Sequence, residues 1–446
     1  MTLFKRGRLI YWIARELIDK YTKALSVGVI VGIVAMIGFR KFYPTIIATW
    51  FLPVERIGIV GEFTPSTLPL TIQNKISRGL TTIATDGSVL PGLAESWEAT
   101  DSGKTYTFHL QKNAVWHNGQ NVKAKDVNYN IRDVTFDVID DYALKATLKD
   151  PYSPFPTLVA KPIFQRGLNG FGSYKVSNLR LKGDSIQFIR LVPTESKDNK
   201  PIEYRFYRTE AQAITAYKLG DIDAASDLSS PAELASWKHT DVTQIIKYDQ
   251  IVAIFFNLKD QFLMEKSVRQ ALGYTLPEIN EEHAYSPLSK NSWAYTDKIR
   301  RYTTNLSQAK KVLSQANIDV TNKEIVITTF SQYVDIAQLV AKSWQDLGLQ
   351  VKVKVENVLP PDFQVVLSAQ SVPPDPDQYP FWHSTQRGTN ITSYSNVKID
   401  KILEDARREI DQEKRKKLYG DFQRFLVEDA PAVFYYYPSR YTVRRT

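Results

Sequence analysis

The feature that most constrains the fold is a strand–helix–strand pattern between residues 324 and 356. Glu324 to Phe330 (EIVITTF) is a short apolar run typical of a buried strand. Residues 333–347 then repeat apolar side chains at helical spacing, and Gly348 is placed to end that helix. Gln350 to Glu356 (QVKVKVE) alternates Val and Lys, as a half-buried strand does. Two strands joined by a crossover helix lie parallel in one sheet, so the sequence predicts an α/β fold.

The C-terminal region continues this pattern. Residues 363–368 are predicted to form the next strand, and two amphipathic helices should follow it. Their apolar faces consist of Ile399, Ile402, Leu403, Ala406 and Ile410 in one helix, and Leu418, Phe422, Phe425 and Leu426 in the other. The final apolar run, VFYYYPSRYTV, is expected to return as a strand to the N-terminal part of the protein.

The N-terminal region predicts a membrane anchor. Ala24 to Phe39 contains sixteen residues without a charge, slightly fewer than the roughly 20 of a comfortable span, and flanking Lys and Arg side chains can extend it. We expect an uncleaved, single-pass transmembrane helix and interfacial segment over 24–52. Because positive charges favour the cytoplasmic side, residues 1–23 should form a cytoplasmic tail and the remainder should lie outside the cell. A cleaved signal peptide is the alternative, although Phe39-Arg40-Lys41 is a poor cleavage site.

Charge and cysteine content exclude several classes of protein. The chain of 446 residues has a net charge of +9, but residues 1–56 hold nine basic and three acidic side chains. Most of the excess therefore surrounds the hydrophobic segment, and no basic stripe with interleaved aromatics predicts nucleic-acid binding. The chain has no cysteine, which excludes disulfides, thiolate metal sites and a lipid-modified N-terminal cysteine.

Leu90 to Ile131 is a run of scaffold signals without a reactive group. It should contain a capped amphipathic segment, a strand over Thr105–Leu110 (TYTFHL), a turn at Asn118-Gly119 and a short helix near Asp126. The run closely resembles the signature region of family 5 extracellular solute-binding proteins, which reads P-x-LAE-x-W, TYTF-x-L, WH-D/N-G and A-x-DV-x-Y. Further matches occur in order through residues 57–446, including PYSPFP, the YKL-G-DID run and SVRQAL.

The resemblance implies the fold class. Members have a periplasmic-binding-protein-like α/β fold of two lobes around a hinge, with an extra small subdomain (type II). On this basis lobe 1 should comprise residues 57–245 and 425–446, with the small subdomain at about 83–160, and lobe 2 should comprise residues 246–424. Ligand would be enclosed between the lobes as they close.

The best candidate for a binding segment is residues 373–395 (PPDPDQYPFWHSTQRGTNITSYS). It combines acids, aromatic rings, a histidine and amides in a stretch punctuated by Pro, and loops of this kind on a rigid lobe commonly carry binding residues. A self-packed surface loop is the structural alternative. Exposed aromatics and amides would suit extended peptides.

The resemblance also implies individual site residues. In family 5 receptors the corresponding loop lines the cleft, and peptide receptors use an acid three residues before Asp-Pro for the α-ammonium group; that position is Val372 here. The missing acid at Val372 argues against recognition of a free amine, whereas Asp375 or Asp377 could replace it. The predicted ligand-binding residues are Thr71, Gln73, Val372, Asp375, Asp377, Trp382, His383 and Asn390, with Trp382 for apolar contact and Asn390 for hydrogen bonds. By their position in the short helix near residue 72, Thr71 and Gln73 could face the cleft, and simple surface residues are the alternative.

Nothing in the sequence predicts catalysis, a cofactor or a resident metal. The five histidines match no metal-binding helix motif, and no G-x-S-x-G elbow occurs. The prediction is a membrane-anchored, monomeric, non-enzymatic receptor that captures a solute, foremost a peptide, for an ABC permease. A surface signalling or assembly protein that has kept the fold, or an extracytoplasmic hydrolase, are the alternatives.

Overall fold

Two large β-sheets form the framework of the protein in a computed structural model. The structure describes residues 54–195 and 199–446, together with scattered helical positions between 12 and 36. The predicted tail at 1–23 and anchor at 24–52 therefore lie mostly outside the described residues. Within the described part of the chain, no helix is both long and apolar enough to cross a membrane.

Residues 54–195 and 199–446 contain nineteen strands and nine α-helices. The strands are β1 Glu55–Val60, β2 Thr81–Ile83, β3 Val89–Pro91, β4 Ala94–Thr100, β5 Thr105–Leu110, β6 Val134–Asp140, β7 Ala143–Leu148, β8 Tyr174–Lys182, β9 Ser185–Pro193, β10 Ile202–Tyr207, β11 Ala224–Leu228, β12 Thr240–Ile246, β13 Gln250–Phe256, β14 Glu282–His283, β15 Glu324–Thr329, β16 Gln350–Val355, β17 Val365–Ser371, β18 Ala432–Tyr437 and β19 Ser439–Arg445. The helices are α1 Leu70–Ile76, α2 Phe155–Leu158, α3 Glu210–Leu219, α4 Lys266–Gly273, α5 Leu306–Gln315, α6 Val334–Gln345, α7 Tyr379–Trp382, α8 Val397–Arg408 and α9 Gln412–Asp429.

The strands form four sheets. The seven-stranded sheet has the order β12-β19-β11-β1-β10-β9-β8, and the six-stranded sheet has the order β14-β18-β13-β17-β15-β16. A four-stranded antiparallel sheet, β4-β5-β7-β6, and the β2-β3 pair are inserted between β1 and β8. Each of the three larger sheets packs its own buried core, with separate clusters on the two sides of the seven-stranded sheet.

The predicted strand–helix–strand unit is confirmed. β15 and β16 pair in parallel, with Ile327 opposite Val353, and α6 crosses between them. Ala337, Val340 and Trp344 are buried along the face of α6. β17 joins β15 in parallel on its other side, so the strand predicted at 363–368 also belongs to this sheet.

The chain crosses between the two large sheets at adjacent places. β12 ends in the seven-stranded sheet and β13 begins in the six-stranded sheet, while the return runs from β18 to β19 at Pro438. The amide of Lys247 donates to the carbonyl of Pro438 at 2.9 Å, which ties the two crossovers together. The C-terminal run VFYYYPSRYTV is therefore two strands in different sheets, because Pro438 has no amide hydrogen to continue one ladder. A lobe boundary at residue 425 would divide α9.

The signature run differs from its prediction in two places. The segment expected to be amphipathic and capped is β4, which pairs antiparallel with β5. The helix expected near Asp126 is a single 3-10 turn, Ala124–Asp126. Both carboxylate contacts of Asp126 are structural: its Oδ2 accepts from the Lys123 amide at 2.9 Å and from Trp116 Nε1 at 3.2 Å.

Candidate ligand cleft

A cavity of about 790 Å³ is lined by three segments of the chain. One side, here called the first wall, consists of residues 66–83 and 152–161, which follow β1 and β7. The other side, the second wall, consists of residues 373–381, which follow β17. The volume falls within the roughly 300–1,000 Å³ typical of sites for small ligands. The lining residues are Ser66, Thr67, Leu68, Leu70, Gln73, Asn74, Arg78, Thr82, Ile83, Tyr152, Pro154, Thr157, Leu158, Ala160, Lys161, Pro373, Pro374, Asp375, Asp377, Pro380 and Phe381.

Helix α1 presents one face to the cavity. Leu70, Gln73 and Asn74 line it, at spacings of three and four residues that place them on the same side of a helix. Thr71 is exposed but does not line the cavity, because it is turned about 100° from Leu70 around the helix axis. Gln73 is buried, and its side-chain amide donates to the carbonyl of Leu68 at 2.5 Å. Its amide group therefore also holds the turn before the helix.

The two segments of the first wall are joined through their backbones. The amide of Ile163 donates to the Arg78 carbonyl at 3.0 Å, and the Tyr129 hydroxyl lies 2.8 Å from the carbonyl oxygens of both Val159 and Lys161. Gly79 permits this approach, because a Cβ there would meet the Val159 carbonyl. The backbones of Arg78 and Lys161 are thus held in adjacent segments of one wall.

Asp375, in the second wall, is buried in an ion pair with Arg415 of helix α9. Arg415 Nη2 donates to Asp375 Oδ1 at 2.8 Å and Arg415 Nη1 donates to Oδ2 at 3.1 Å. Burial alone would lower the pKa of the Arg415 guanidinium, but the attraction of the Asp375 carboxylate more than offsets burial and raises that pKa. This two-point contact fastens the second wall to the lobe behind it.

Asp377 is paired in the same way with Arg407 of helix α8. Arg407 Nε lies 2.9 Å from Asp377 Oδ2, and its Nη2 donates to the same oxygen at 2.8 Å. The Arg407 guanidinium stacks 3.9 Å from the ring centre of Tyr379. Tyr152, from the first wall, donates its hydroxyl to Asp377 Oδ2 at 3.2 Å, so this carboxylate also joins the two walls.

Two predicted site residues do not line the cavity and belong to the core that packs on the six-stranded sheet. Val372 donates its amide to the carbonyl of Asp249, one of the crossover residues, and its side chain is buried. Trp382 is 2% exposed, is stacked on Phe255 with ring centres 6.5 Å apart, and contacts Phe434 edge-on. It lines a separate cavity of about 300 Å³. Trp382 was expected to contact ligand, but its ring packs in the core because the short helix α7 turns it inward.

His383 and Asn390 also lie outside the cavity lining. His383 is 4% exposed, with Nδ1 2.8 Å from the Thr385 hydroxyl and its ring stacked on Tyr379. Asn390 donates its side-chain amide to the carbonyl of Tyr394 at 2.8 Å and accepts from Thr392 at 3.0 Å. These polar groups bond within the loop, and His383 Nε2 also lies 3.4 Å from Glu404 Oε1 of α8. This packing fits the structural alternative for the segment, a self-packed loop. Of the eight predicted residues, only Gln73, Asp375 and Asp377 line the cavity, and their role toward a ligand stays a prediction.

Several residues that line the cavity are not among the eight predicted ligand-binding residues. The most exposed apolar ones in the first wall are Leu70, at 57%, and Leu158, at 44%. Tyr152 and Leu158 belong to the PYSPFP motif and the residues after it, which were recognised as a signature but not as a binding surface. Phe381, next to Trp382, is the aromatic side chain of the loop that lines the cavity. No group of three or more His, Asp or Glu residues in the described part of the chain could hold a metal ion.

Comparisons with known proteins identify the family. A model of bacterial extracellular solute-binding proteins, family 5 (middle), matches residues 88–391. The chain belongs to this family.

The relatives extend that assignment over most of the chain. The chain is 25% identical to the oligopeptide-binding protein AppA of Bacillus subtilis, with 86% of each sequence aligned. The structure of that protein with a nonapeptide matches with a TM-score of 0.64 at 22% identity, over 88% of this chain and 95% of the other. NikZ of Campylobacter jejuni with Ni(L-His) matches with a TM-score of 0.69 at 22% identity, over 88% and 94%. These likenesses confirm the two-lobe periplasmic-binding-protein-like α/β fold. Membership also confirms that the chain is a solute-binding protein and not an enzyme.

Proposed function

We propose that this chain is the peptide receptor of an ABC importer and that a short peptide binds in the cavity between the two walls. The observation that carries the proposal is the composition of that cavity. Exposed leucines and Phe381 provide apolar surface, while the side-chain amide of Asn74 provides hydrogen-bonding groups. A peptide offers the matching combination of apolar side chains and backbone polar groups.

The names of the relatives support this choice of ligand. Besides AppA, a dipeptide-binding protein of Bacillus subtilis, DppE, is 24% identical with 82% of this chain aligned. Receptors of importers deliver their ligand to a membrane permease, so we propose an ABC permease as the partner of this chain. We also propose that the receptor acts as a monomer.

The proposal includes attachment to the membrane. Sixteen uncharged residues flanked by Lys23, Arg40 and Lys41 support a single-pass helix over 24–52, with residues 1–23 in the cytoplasm and the receptor outside. The two sheets with their crossovers at Lys247 and Pro438 support two lobes that move about this point. We draw the lobes as 57–245 with 439–446, and 246–438, with the small subdomain at about 83–160.

The test begins with whatever the protein retains during purification. Small molecules released by denaturing the full chain in detergent are identified by mass spectrometry, and short peptides are then titrated by calorimetry. We expect peptides in the released fraction and saturable binding. Failure to find or bind any peptide would contradict the proposal.

A matched pair of variants locates the site. Leu158, which lines the cavity, and Leu181, which does not, have similar exposed fractions of 44% and 46%. Leu158→Ala should weaken peptide binding about tenfold because it removes apolar contact surface. Leu181→Ala should leave the affinity unchanged. Equal effects of the two changes would place the ligand elsewhere.

A further inference from the structure

The charged residues of the cavity differ in how far they are already engaged. The lining contains two acids, Asp375 and Asp377, and two bases, Arg78 and Lys161. The acids and the bases belong to opposite walls. Which of them can still meet a charged ligand group depends on the partners that each already has.

Both acids are neutralised by the protein itself. Each oxygen of Asp375 accepts from Arg415, and Oδ1 also accepts from the Asp377 amide at 3.0 Å. Both oxygens of Asp377 lie within 3.0 Å of Arg407 Nε, and Oδ1 also accepts from the Tyr379 amide. An ammonium group on a ligand would have to displace an arginine from a largely buried carboxylate, which is unfavourable.

Both bases remain available. Arg78 and Lys161 are exposed, and no ion pair or side-chain hydrogen bond is formed by either within residues 54–195 and 199–446. Their backbones are held in adjacent segments by the Ile163–Arg78 hydrogen bond and by the Tyr129 hydroxyl. Counting the arginines behind the second wall, the cavity therefore has two uncompensated positive charges and no uncompensated negative charge.

From this imbalance we infer that the cavity selects ligands that carry a carboxylate and lack a free ammonium group, such as peptides with a blocked amino terminus. This inference rests on the proposed peptide-binding function and narrows it. Arg78 and Lys161 hold the carboxylate by charge-assisted hydrogen bonds. Leu70, Leu158 and Phe381 contact the apolar body of the ligand. Exclusion of the free amine follows because no carboxylate in the lining is left to receive it.

The test compares four forms of the same leucine peptides, from dipeptide to tetrapeptide, on the full chain. The forms are the free peptide, the N-acetyl peptide, the peptide amide and the N-acetyl peptide amide, each titrated by calorimetry. We expect the N-acetyl acid to bind most tightly and its amide to bind about tenfold more weakly, the loss of one or two partly exposed charge-assisted hydrogen bonds. The free peptide should be weaker than its acetylated form.

Variants identify the groups responsible. Arg78→Gln with Lys161→Gln should weaken the N-acetyl acid to the level of its amide and leave the amide itself unchanged. Arg166→Gln with Lys417→Gln, which removes two exposed bases outside the cavity, should change neither. Tighter binding of the free peptide than of the acetylated one, or equal binding of acid and amide, would overturn the inference and leave the proposed function standing. Absence of binding by all four forms would overturn both.

Discussion

The two walls of the cavity use charge in opposite ways. In the second wall each acid is held by an arginine from a helix behind it, and Asp375 and Arg415 are both at least 93% buried. In the first wall Arg78 and Lys161 are exposed and only their backbones are fixed. Charges in the second wall therefore stabilise the fold, whereas charges in the first wall are free to meet a ligand.

This contrast separates two properties that look alike in a sequence. Acids in a loop rich in Pro and aromatics are typical of a binding segment, yet here they are the structural half of the site. Arg78 and Lys161 lie in segments whose sequence motifs indicate a structural role and not a binding site. Mutations that probe stability and mutations that probe binding should therefore fall on opposite sides of the cavity.

The largest expected effect comes from the buried ion pair of the second wall. Asp375→Asn leaves the Arg415 guanidinium buried without a negative partner, so the free energy of unfolding should fall by about 3–5 kcal/mol. Denaturant or thermal unfolding of the full chain measures the change. Arg78→Gln, the corresponding change in the first wall, should alter stability by no more than about 0.5 kcal/mol.

A double variant tests the explanation. Adding Arg415→Met to Asp375→Asn removes the uncompensated charge, and part of the lost stability should return. If the single change costs less than about 1 kcal/mol, the pair does not hold the second wall in the way described.

The second largest effect is expected from a substitution that separates the two segments of the first wall. Gly79→Ala would place a Cβ against the backbone of Val159 and Ala160, so the two segments must move apart. We expect a loss of about 1–3 kcal/mol in unfolding free energy, together with weaker peptide binding. Gly420→Ala is the control, because no atom lies within 4 Å of a Cβ there and the residue is within helix α9. That change should stabilise by about 0.5–1 kcal/mol. Similar losses at both glycines would contradict the close approach at Gly79.

The fold was largely predictable because its elements carry strong local patterns. The alternation around β15 and β16, the helical spacing in α6 and the ordered motifs of the signature run each specify an element and its neighbours. The predicted fold differs from the structure where a single residue decides which sheet a strand joins. Pro438 divides one apolar run between two sheets, and neither strand pattern indicates that division.

The site was predicted less well for a physical reason. Residue type indicates what a side chain can contact, but not whether its partner is a ligand or another part of the protein. His383, Asn390 and Trp382 have side chains that could bind a ligand. Instead, His383 and Asn390 form hydrogen bonds within the loop, and Trp382 packs against Phe255 in the core. The face of α1 that lines the cavity begins at Leu70, one residue before the predicted Thr71. One residue along a helix is a rotation of about 100°, which turns Thr71 away from the cavity.

The smallest expected effect concerns His117, which supports the first wall from behind. Its Nε2 lies 3.0 Å from the Gly172 carbonyl, and the Gly172 amide donates to the Ile76 carbonyl at the end of α1. Burial lowers the pKa of His117 below its ordinary value of 6.5, and the charge of Lys175 lowers it further, against the opposing effect of the Gly172 hydrogen bond. The unfolded chain therefore binds a proton at this residue more readily than the folded chain. Its contribution to stability is fully present above pH 6.5 and is lost as the pH falls through the folded-state pKa.

A titration of the His117 ring protons by NMR should give a midpoint below 6.5, and unfolding of His117→Gln should lose this part of the pH dependence. A midpoint at or above 6.5 would show that the support behind α1 is open to water, and the difference between the two walls would then be smaller than the buried contacts indicate.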